Sequence, residues 1–196
     1  NFSVADGLPH DFVHHIFQEQ NGPLWFATQK GICLYDGQFI TDLPFMSQLS
    51  SEIVNHIYKD STSSFWFATN NGVYQLTGQT LTHKTIENGL PHNQVHQIFE
   101  DQNNTLWFGT ESGIATYKDS VFQTIFPQLS NTRILSLFQD RKGHMWFTTG
   151  GDGVYQSNTD QLLHHTTSDG LASDWVYAVI EDNEGNLWFA TNGGLN

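Results

Sequence analysis

The stretch Leu106-Trp107-Phe108-Gly109-Thr110 decides the fold, because this sequence and four close variants of it occur at regular intervals along the chain. The variants are Leu24-Trp25-Phe26-Ala27-Thr28, Phe65-Trp66-Phe67-Ala68-Thr69, Met145-Trp146-Phe147-Thr148-Thr149 and Leu187-Trp188-Phe189-Ala190-Thr191. Their tryptophans, called the repeat tryptophans below, are 41, 41, 39 and 42 residues apart and make up five of the six tryptophans in the sequence. A period near 40 residues is typical of a β-propeller or of a helical array.

The residues around each repeat tryptophan favour the propeller. β-branched or aromatic residues, with Leu137 as the one exception, stand twelve, nine and eight positions before it, as at Val95, Ile98 and Phe99, which is the chemistry of short strands. The residue six positions before it is always acidic and begins a polar turn that its carboxylate is expected to cap. These acids are Glu19, Asp60, Asp101, Asp140 and Asp182. Two further strand-like runs, such as Gly72-Val73-Tyr74-Gln75-Leu76 and Thr80-Leu81-Thr82, complete the unit. With no sustained helical period, the pattern predicts an all-β propeller of four-stranded antiparallel blades.

The motif also predicts how blades pack. Blades stack face to face, so the Trp and Phe of the motif are expected to fill the space between them. The small residue before the threonine leaves room for a neighbour's ring. Cys33 is the only cysteine, which excludes an intrachain disulfide, and its strand position is typical of a small buried side chain.

The chain 1–196 is interpreted as a single propeller region. Its repeats run over approximately 6–45, 46–87, 88–127, 128–168 and 169–196, and the last is incomplete. Phe2-Ser3-Val4 resembles a fourth strand ahead of the first repeat. We therefore expect part of a larger propeller of the seven-bladed type. As an open arc it would expose two blade faces, which predicts a homo-oligomer, or contact with the remaining blades and domains of a parent protein.

The charge balance excludes some classes of partner. The chain has 7 Lys and Arg against 20 Asp and Glu, a formal net charge of −13 at pH 7. Such a surface repels phosphate backbones, and no basic patch offsets it, so we expect no nucleic-acid binding. No apolar run reaches membrane-spanning length, and anionic membrane surfaces are disfavoured. We therefore expect no membrane contact by this segment.

The openings of three repeats allow a family to be named. They read Asp6-Gly7-Leu8-Pro9, Asn88-Gly89-Leu90-Pro91 and Asp169-Gly170-Leu171-Ala172. Together with the Trp-Phe motif they resemble the two-component regulator propeller repeat. Repeats two and four depart from this opening, with Gln48-Leu49-Ser50 and Gln128-Leu129-Ser130 in its place. Repeat four also carries an extra residue in Thr149-Gly150-Gly151-Asp152-Gly153.

The resemblance implies the propeller portion of a bacterial sensor. In such proteins the propeller lies outside the inner membrane, here a periplasmic location, and the output domain is a histidine kinase or a diguanylate cyclase. It implies recognition of a small ligand, with oligosaccharides as a candidate class, or of a partner domain. The sequence itself shows no nucleophile elbow and no phosphate-binding loop, so we expect no catalysis by this chain and no cofactor.

Polar positions at one end of the propeller axis supply the candidate site, because loops of many blades converge there. The candidate ligand-binding residues are His10, His14, Asn55, His92, His96, Asn131, Arg133, Trp175 and Tyr177. Arg133 and Trp175 stand thirteen positions before their repeat tryptophans, where the other repeats have Phe12, Ile53 and Gln94. A tryptophan suits a sugar ring, and an arginine suits a carboxylate or sulfate. The alternative interpretation is that all nine are solvated loop and channel residues.

Three other functions remain as alternatives. His10 with His14, and His92 with His96, have the spacing of metal ligands, but four residues along a strand do not converge on one site as they do on a helix, so no metal is expected. Carboxylates that could serve a propeller lyase or glycoside hydrolase are Asp11, Glu52 and Asp174. Their periodic placement argues against a unique active site. The remaining alternative is a protein–protein interaction scaffold.

Overall fold

Each repeat folds into one antiparallel sheet. The structure is a computed structural model that describes residues 2–38, 40–41, 44–158 and 161–196. In these residues the regular elements are strands and short 3₁₀ turns, and the strands of each sheet follow one another in chain order. The first strand of each blade contacts the first strand of the next, so the five blades lie side by side around a common axis. The predicted all-β propeller is confirmed. Blades 1 to 4 have four strands and blade 5 has three.

The nineteen strands of the described residues alternate with tight turns. Blade 1 contains β1 (Val13–Gln18), β2 (Leu24–Thr28), β3 (Gly31–Tyr35) and β4 (Ile40–Thr41). Blade 2 contains β5 (Val54–Lys59), β6 (Phe65–Thr69), β7 (Gly72–Thr77) and β8 (Thr80–Lys84). Blade 3 contains β9 (Val95–Glu100), β10 (Leu106–Thr110), β11 (Gly113–Lys118) and β12 (Val121–Ile125). Blade 4 contains β13 (Ile134–Gln139), β14 (Met145–Thr149), β15 (Val154–Asn158) and β16 (Gln161–His165). Blade 5 contains β17 (Val176–Glu181), β18 (Leu187–Thr191) and β19 (Gly194–Leu195).

A 3₁₀ turn leads into each blade. In blades 1, 3 and 5 this turn ends at the Asp/Asn-Gly-Leu sequence that opens the repeat. The turns are Val4–Asp6, Pro44–Leu49, Ile86–Asn88, Pro127–Leu129 and Thr167–Asp169. Gly7, Gly89 and Gly170 end three of them at φ values of 106°, 107° and 109°, a region that favours glycine. The following Leu8 and Leu90 are buried. The turns without this glycine place Leu49 and Leu129 in the core instead.

The repeat tryptophans of blades 1 to 4 pack against the next blade, as the motif predicts. Trp66 of blade 2 is fully buried, and its ring centroid lies 5.6 Å from that of Phe108 and 5.1 Å from that of Tyr117 in blade 3. The small residue of the motif leaves room for the next blade, since a Cβ on Gly109 would lie 2.9 Å from Cγ2 of Ile134. Cys33 is buried, in agreement with its interpretation as a small core residue.

The acidic residue of each repeat does more than cap its turn. In blade 4, Oδ1 of Asp140 accepts the backbone N–H groups of Lys142 and His144 at 2.9 and 2.8 Å, which is the predicted cap. Its Oδ2 accepts the indole N–H of Trp146 at 2.9 Å. The same indole bond joins Asp60 to Trp66, Asp101 to Trp107 and Asp182 to Trp188, at 2.7, 2.9 and 2.8 Å. Each blade that has an aspartate here therefore ties its turn to its repeat tryptophan.

The threonine that ends the motif closes the next hairpin. In blade 3, Thr110 Oγ1 donates to the carbonyl of Gly113 at 2.8 Å and accepts the N–H of Ser112 at 3.2 Å. The other four threonines of this position, Thr28, Thr69, Thr149 and Thr191, form the corresponding hydroxyl-to-carbonyl bond at 2.8 to 3.0 Å. Local hydrogen bonding, rather than packing alone, accounts for this threonine in all five repeats.

The two ends of the chain differ from the predicted pattern. Phe2 is not in a strand: it packs against Phe26 and Tyr35, and Val4 begins a 3₁₀ turn, so the predicted strand over Phe2-Ser3-Val4 is wrong. The outer faces of the end blades are open to solvent. Ile16 in blade 1 is 55% exposed, whereas Ile57 at the same position in blade 2 is fully buried, and Trp188 in blade 5 is 41% exposed. Contact with further blades or with a second copy stays a prediction.

Candidate functional site

One end of the propeller axis brings together the hairpins between the second and third strands and the loops that enter the blades. A hairpin backbone N–H of each of blades 1 to 4 donates to a loop carbonyl of the next blade. The four bonds are Gly31 to Glu52 at 2.7 Å, Gly72 to Asn93 at 2.5 Å, Gly113 to Thr132 at 2.9 Å and Gly153 to Asp174 at 2.8 Å. We call this end the hairpin face. The predicted candidate residues lie in its loops and in the first strands that follow them.

Two of the predicted histidines cap their own loops. Nδ1 of His10 accepts the N–H of Phe12 at 2.9 Å, and Nδ1 of His92 accepts the N–H of Gln94 at 3.0 Å. Oγ of Ser173 accepts the N–H of Trp175 in the same way at 3.1 Å. This position therefore shapes the loop in three blades. The role found for His10 and His92 is structural, and no ligand is needed to explain them.

Other predicted residues make cross-strand or inter-blade contacts. The amide of Asn55 donates to the carbonyl of Val95 in the next blade at 2.7 Å and to Oδ1 of Asn70 at 2.9 Å. His14 lies against Phe12 with ring centroids 5.0 Å apart. Burial and the neighbouring His10 lower the pKa of His14. No group of three or more metal-ligating side chains lies together in the described part of the chain.

Arg133, Glu111 and His96 form a hydrogen-bonded cluster between blades 3 and 4. One oxygen of Glu111, Oε2, accepts Nε–H of Arg133 at 2.7 Å and Nε2–H of His96 at 2.9 Å. The pair of His96 and Glu111 bridges β9 and the hairpin after β10, while Arg133 comes from the loop that enters blade 4. The Arg133 side chain is 37% exposed, so the cluster is reached by solvent. The sequence predicts Arg133 and His96 as separate candidates. In the structure both bond to Glu111, which is not among the predicted residues.

The protonation of this cluster follows from its contacts. Burial acts to raise the pKa of Glu111, but the hydrogen bonds from Arg133 and His96 outweigh it and hold this pKa below its usual value. Burial lowers the pKa of His96, and the Glu111 carboxylate opposes that effect only in part. At pH 7 the cluster is therefore an ionised carboxylate between a guanidinium and a neutral imidazole.

A groove of about 390 Å³ opens beside this cluster. Its lining residues are Glu111, Asn131, Thr132, Arg133, Gly150, Gly151 and Asp152. Trp175 borders it, because its backbone bridges to Gly150 and the Arg133 guanidinium carbon lies 6.0 Å from its ring centroid. The ring centroid of Tyr177 lies 6.5 Å from that of Trp175. Three blades thus contribute to one polar groove with an aromatic edge, and three of the nine predicted residues, Asn131, Arg133 and Trp175, lie at it.

The unusual hairpin of blade 4 makes room for Arg133. A Cβ on Gly150 would lie 2.7 Å from Cδ of Arg133, so a side chain there would displace the arginine. The extra residue of this hairpin widens the turn, and Asp152 within it accepts the hydroxyl of Tyr155 at 2.7 Å. Arg133, Gly150 and the inserted residue are three departures from the repeat pattern that meet at one place.

Glu111 belongs to the candidate site, and the residues predicted from the sequence do not include it. It stands four positions after its repeat tryptophan, where the five repeats have Gln29, Asn70, Glu111, Gly150 and Asn192. It is the only ionisable residue in this position, and that was a signal available from the sequence. In blade 2 the corresponding pair is Asn55 and Asn70, and in blade 5 it is Tyr177 and Asn192, at 2.9 and 3.4 Å. The cross-strand pair recurs, and only blade 3 makes it from an acid.

The carboxylates considered for acid–base chemistry are engaged in loop structure. Oδ1 of Asp11 accepts the N–H of Val4 at 2.7 Å, and Oδ1 of Asp174 accepts the N–H of Thr167 at 2.6 Å. Glu52 accepts from the amide of Asn71 at 3.2 Å and from the hydroxyl of Tyr74 at 3.3 Å. Each acid acts within its own blade, which favours the structural interpretation over a catalytic pair.

The fold and the hairpin face define a repeat-built β-propeller. Three segments, residues 89–112, 128–151 and 170–193, match the family model described as two component regulator propeller. Three of the five repeats therefore match the two-component regulator propeller repeat, and the resemblance drawn from the sequence is confirmed. Each matched segment runs from the opening loop to the hairpin that follows the Trp-Phe motif. None of the curated proteins matches the chain.

Solved structures with the same fold come from proteins of different activities. The extracellular domain of BT3049 from B. thetaiotaomicron, assigned to the hybrid two component systems, aligns with a TM-score of 0.81 and 21% identity over 97% of this chain and 27% of that one. PorZ of the type-IX secretion system of Porphyromonas gingivalis aligns at 0.70 and 19% over 93% and 31%. Virginiamycin B lyase from Staphylococcus aureus aligns at 0.71 and 17% over 94% and 69%.

These likenesses establish the propeller fold and leave the activity open, since propellers host unrelated functions. The chain spans about a quarter of the BT3049 extracellular domain and about a third of PorZ. In the described residues, no helix has the length and apolar character that crossing a membrane requires.

Proposed function

We propose that this chain is the ligand-recognising propeller portion of a bacterial extracytoplasmic sensor, with a periplasmic location, and that it binds a small molecule without catalysing a reaction. The groove beside Arg133 on the hairpin face carries the proposal. The family repeats and the extracellular domain of BT3049 support the sensor class.

The groove has the composition expected of a small-ligand site. Ligand sites combine concavity with a few fixed polar groups and apolar or aromatic surface. Here Arg133 is fixed by Glu111, Asn131 and Thr132 add neutral polar groups, and Trp175 supplies an aromatic face that is 36% exposed. Three departures from the repeat pattern converge at this groove, whereas the other predicted polar residues have structural partners.

A thermal-shift screen tests the proposal. A ligand that binds only the native state raises the melting temperature, by an amount set by its concentration relative to Kd. We expect one class among neutral oligosaccharides, uronic-acid oligosaccharides and sulfated oligosaccharides to raise it. Arg133→Ala and Trp175→Ala should each weaken that binding about tenfold or more, because each removes a principal contact.

Gln94→Ala is the matched control, since Gln94 occupies the same repeat position in blade 3. It should bind like the wild type. Equal binding by all four proteins would place the ligand elsewhere and refute the assignment of this groove. A shift seen with no sugar, but with a protein partner of the parent molecule, would instead favour the interaction scaffold. Turnover of a bound sugar would favour the lyase or hydrolase alternative.

A further inference from the structure

We propose that the groove on the hairpin face selects a neutral, hydroxylated ring over an anionic one, and that Glu111 is the residue that sets this preference. The inference rests on the proposed function and concerns the same groove. It departs from the expectation that an exposed arginine marks a site for a carboxylate or a sulfate.

Arg133 is not a free cation. Its Nε–H donates to Oε2 of Glu111 at 2.7 Å, so the carboxylate that an anionic ligand would supply is already present. The Glu111 side chain is 29% exposed, which makes it part of the groove wall rather than of the core. An incoming carboxylate would meet the guanidinium and this acid together, and the acid would repel it.

The other ionisable groups of the groove add negative charge. Asp152 is the second carboxylate in the lining, and its side chain is 50% exposed. His96, which lies against Glu111, has a lowered pKa and supplies no compensating cation at pH 7. One guanidinium therefore faces two carboxylates, in a chain whose net charge is −13. The field at the groove disfavours a further anion.

The groups that remain suit hydroxyls. A guanidinium has five N–H donors, and the Nη groups of Arg133 have no acceptor among the described residues, so they are available to ligand oxygens. Glu111 and Asp152 offer acceptor oxygens, and Asn131 and Thr132 can both donate and accept. A hydroxyl group also does both, and the C–H face of a sugar ring can lie on the exposed indole of Trp175.

The position of Glu111 explains why it, rather than Asp152, sets the preference. It holds Arg133 directly, and Gly150 leaves the space through which the arginine reaches it. Replacing Glu111 by glutamine keeps the side-chain size and an acceptor oxygen, but it removes the negative charge and frees the charge of Arg133 for the ligand. The variant should therefore gain affinity for anions and keep most of its affinity for neutral rings.

The experiment compares each sugar with its charged counterpart. The probes are neutral gluco-, galacto-, manno- and xylo-oligosaccharides, sulfated disaccharides, and trigalacturonate beside its fully methyl-esterified form, which differs in charge but not in ring skeleton. Binding is measured by calorimetry and ligand-observed NMR to this chain as wild type, Glu111→Gln, Arg133→Ala and Glu52→Gln. Glu52 is a carboxylate of the hairpin face outside the groove, so its variant controls for the general loss of one negative charge.

We expect neutral probes to bind the wild type and each charged probe to bind at least about fivefold more weakly than its neutral counterpart, an effect in the range of partly exposed charge pairs. Glu111→Gln should lower that ratio about fivefold, and Glu52→Gln should leave it unchanged. Arg133→Ala should weaken both kinds of probe. Circular dichroism and the melting temperature confirm that each variant is folded.

Each other outcome is decisive. Tighter binding of the charged probes to the wild type, lost in Arg133→Ala, would overturn this inference and leave the proposed ligand site standing. An unchanged ratio in a folded Glu111→Gln protein would remove the role of Glu111. Absence of binding by every probe would refute the site itself, and the selectivity with it.

Discussion

The interface between blades 1 and 2 differs from that between blades 2 and 3 although the same motif builds both. At the second interface, Asp60 accepts the indole N–H of Trp66 at 2.7 Å, and Glu100 of blade 3 accepts the backbone N–H of Ser61 at 2.8 Å. At the first interface a glutamate, Glu19, stands in place of the aspartate. The indole N–H of Trp25 is buried there without a partner.

A paired exchange accompanies this difference. Lys59 of blade 2 occupies the position that Glu100 holds in blade 3, and it pairs with Glu19 across the interface. One extra methylene on the acid thus exchanges a buried indole bond for an ion pair in which Lys59 is 22% and Glu19 42% exposed. An unpaired buried N–H costs about 1–3 kcal/mol, and exposed ion pairs contribute about 0–1 kcal/mol. The first interface is therefore expected to be the weaker of the two.

Removing the tryptophans gives the largest expected effect. We expect Trp66→Ala to lower the free energy of unfolding by about 3–5 kcal/mol, because the side chain is fully buried and Asp60 would lose its partner. Trp25→Ala should cost about 1 kcal/mol less, since its indole has no bond to lose. Urea unfolding followed by circular dichroism measures both. Trp66→Phe and Trp25→Phe serve as controls that keep a ring, and equal losses in the two phenylalanine variants would contradict the comparison.

Acid should weaken the first interface through His56. Its ring lies 4.1 Å from that of His15 of blade 1, its Nδ1 is buried without a partner, and burial followed by the neighbouring His15 lowers its pKa to about 3. In the unfolded chain His56 takes up a proton near pH 6.5, whereas in the folded chain His56 stays neutral at that pH. Stability should therefore fall as pH drops from about 6.5 towards 3, and the loss should reach about 2 kcal/mol at pH 5.

The variant His56→Gln tests this expectation, because glutamine stands at the same position in blade 3 as Gln97 and there accepts the N–H of Leu137 at 2.6 Å. Urea titrations at pH 7 and pH 5 should show a smaller difference for the variant than for the wild type. His164→Gln, at an exposed histidine, is the control. An identical pH dependence in wild type and His56→Gln would show that this histidine does not carry the effect.

Exchanging the acids gives the smallest effect. We expect Glu19→Asp to raise the free energy of unfolding by about 1 kcal/mol, because the shorter acid can accept the indole N–H of Trp25. The reverse change in blade 3, Asp101→Glu, should cost a similar amount by removing the bond to Trp107 that is 2.9 Å long. Thermal and urea unfolding of both variants measure the difference. A less stable Glu19→Asp protein would show that the ion pair with Lys59 outweighs the missing indole bond.

The sequence was sufficient for the fold because the repeat supplies the same information five times. The spacing of the tryptophans, the acid six positions before them and the glycine turns predict blade, strand order and turn positions without any long-range contact. Phe2 shows the limit of this reasoning, because the sequence pattern predicts a strand there, whereas Phe2 packs on Phe26 and Tyr35 outside any strand.

Only part of the candidate site can be predicted from the sequence. Arg133 and Trp175 stood out because they break a repeated position, and the structure places both at the groove. Asn55 was proposed for its polarity, yet its partner is a backbone carbonyl of the next blade, which no sequence pattern reveals. Glu111 lies 22 residues from Arg133, and only the packing of blade 3 on blade 4 joins them.

The backbone bonds across the hairpin face have a consequence for how this surface can diversify. Gly31, Gly72, Gly113 and Gly153 each tie their hairpin to the loop of the next blade through main-chain atoms alone. This link between neighbouring blades therefore does not depend on the identity of the side chains in those loops. This independence permits the mixture of Ile53, Gln94, Arg133 and Trp175 at one repeated position of the four tied loops. A propeller joined in this way can acquire a new specificity by substitution on one face while its architecture stays the same.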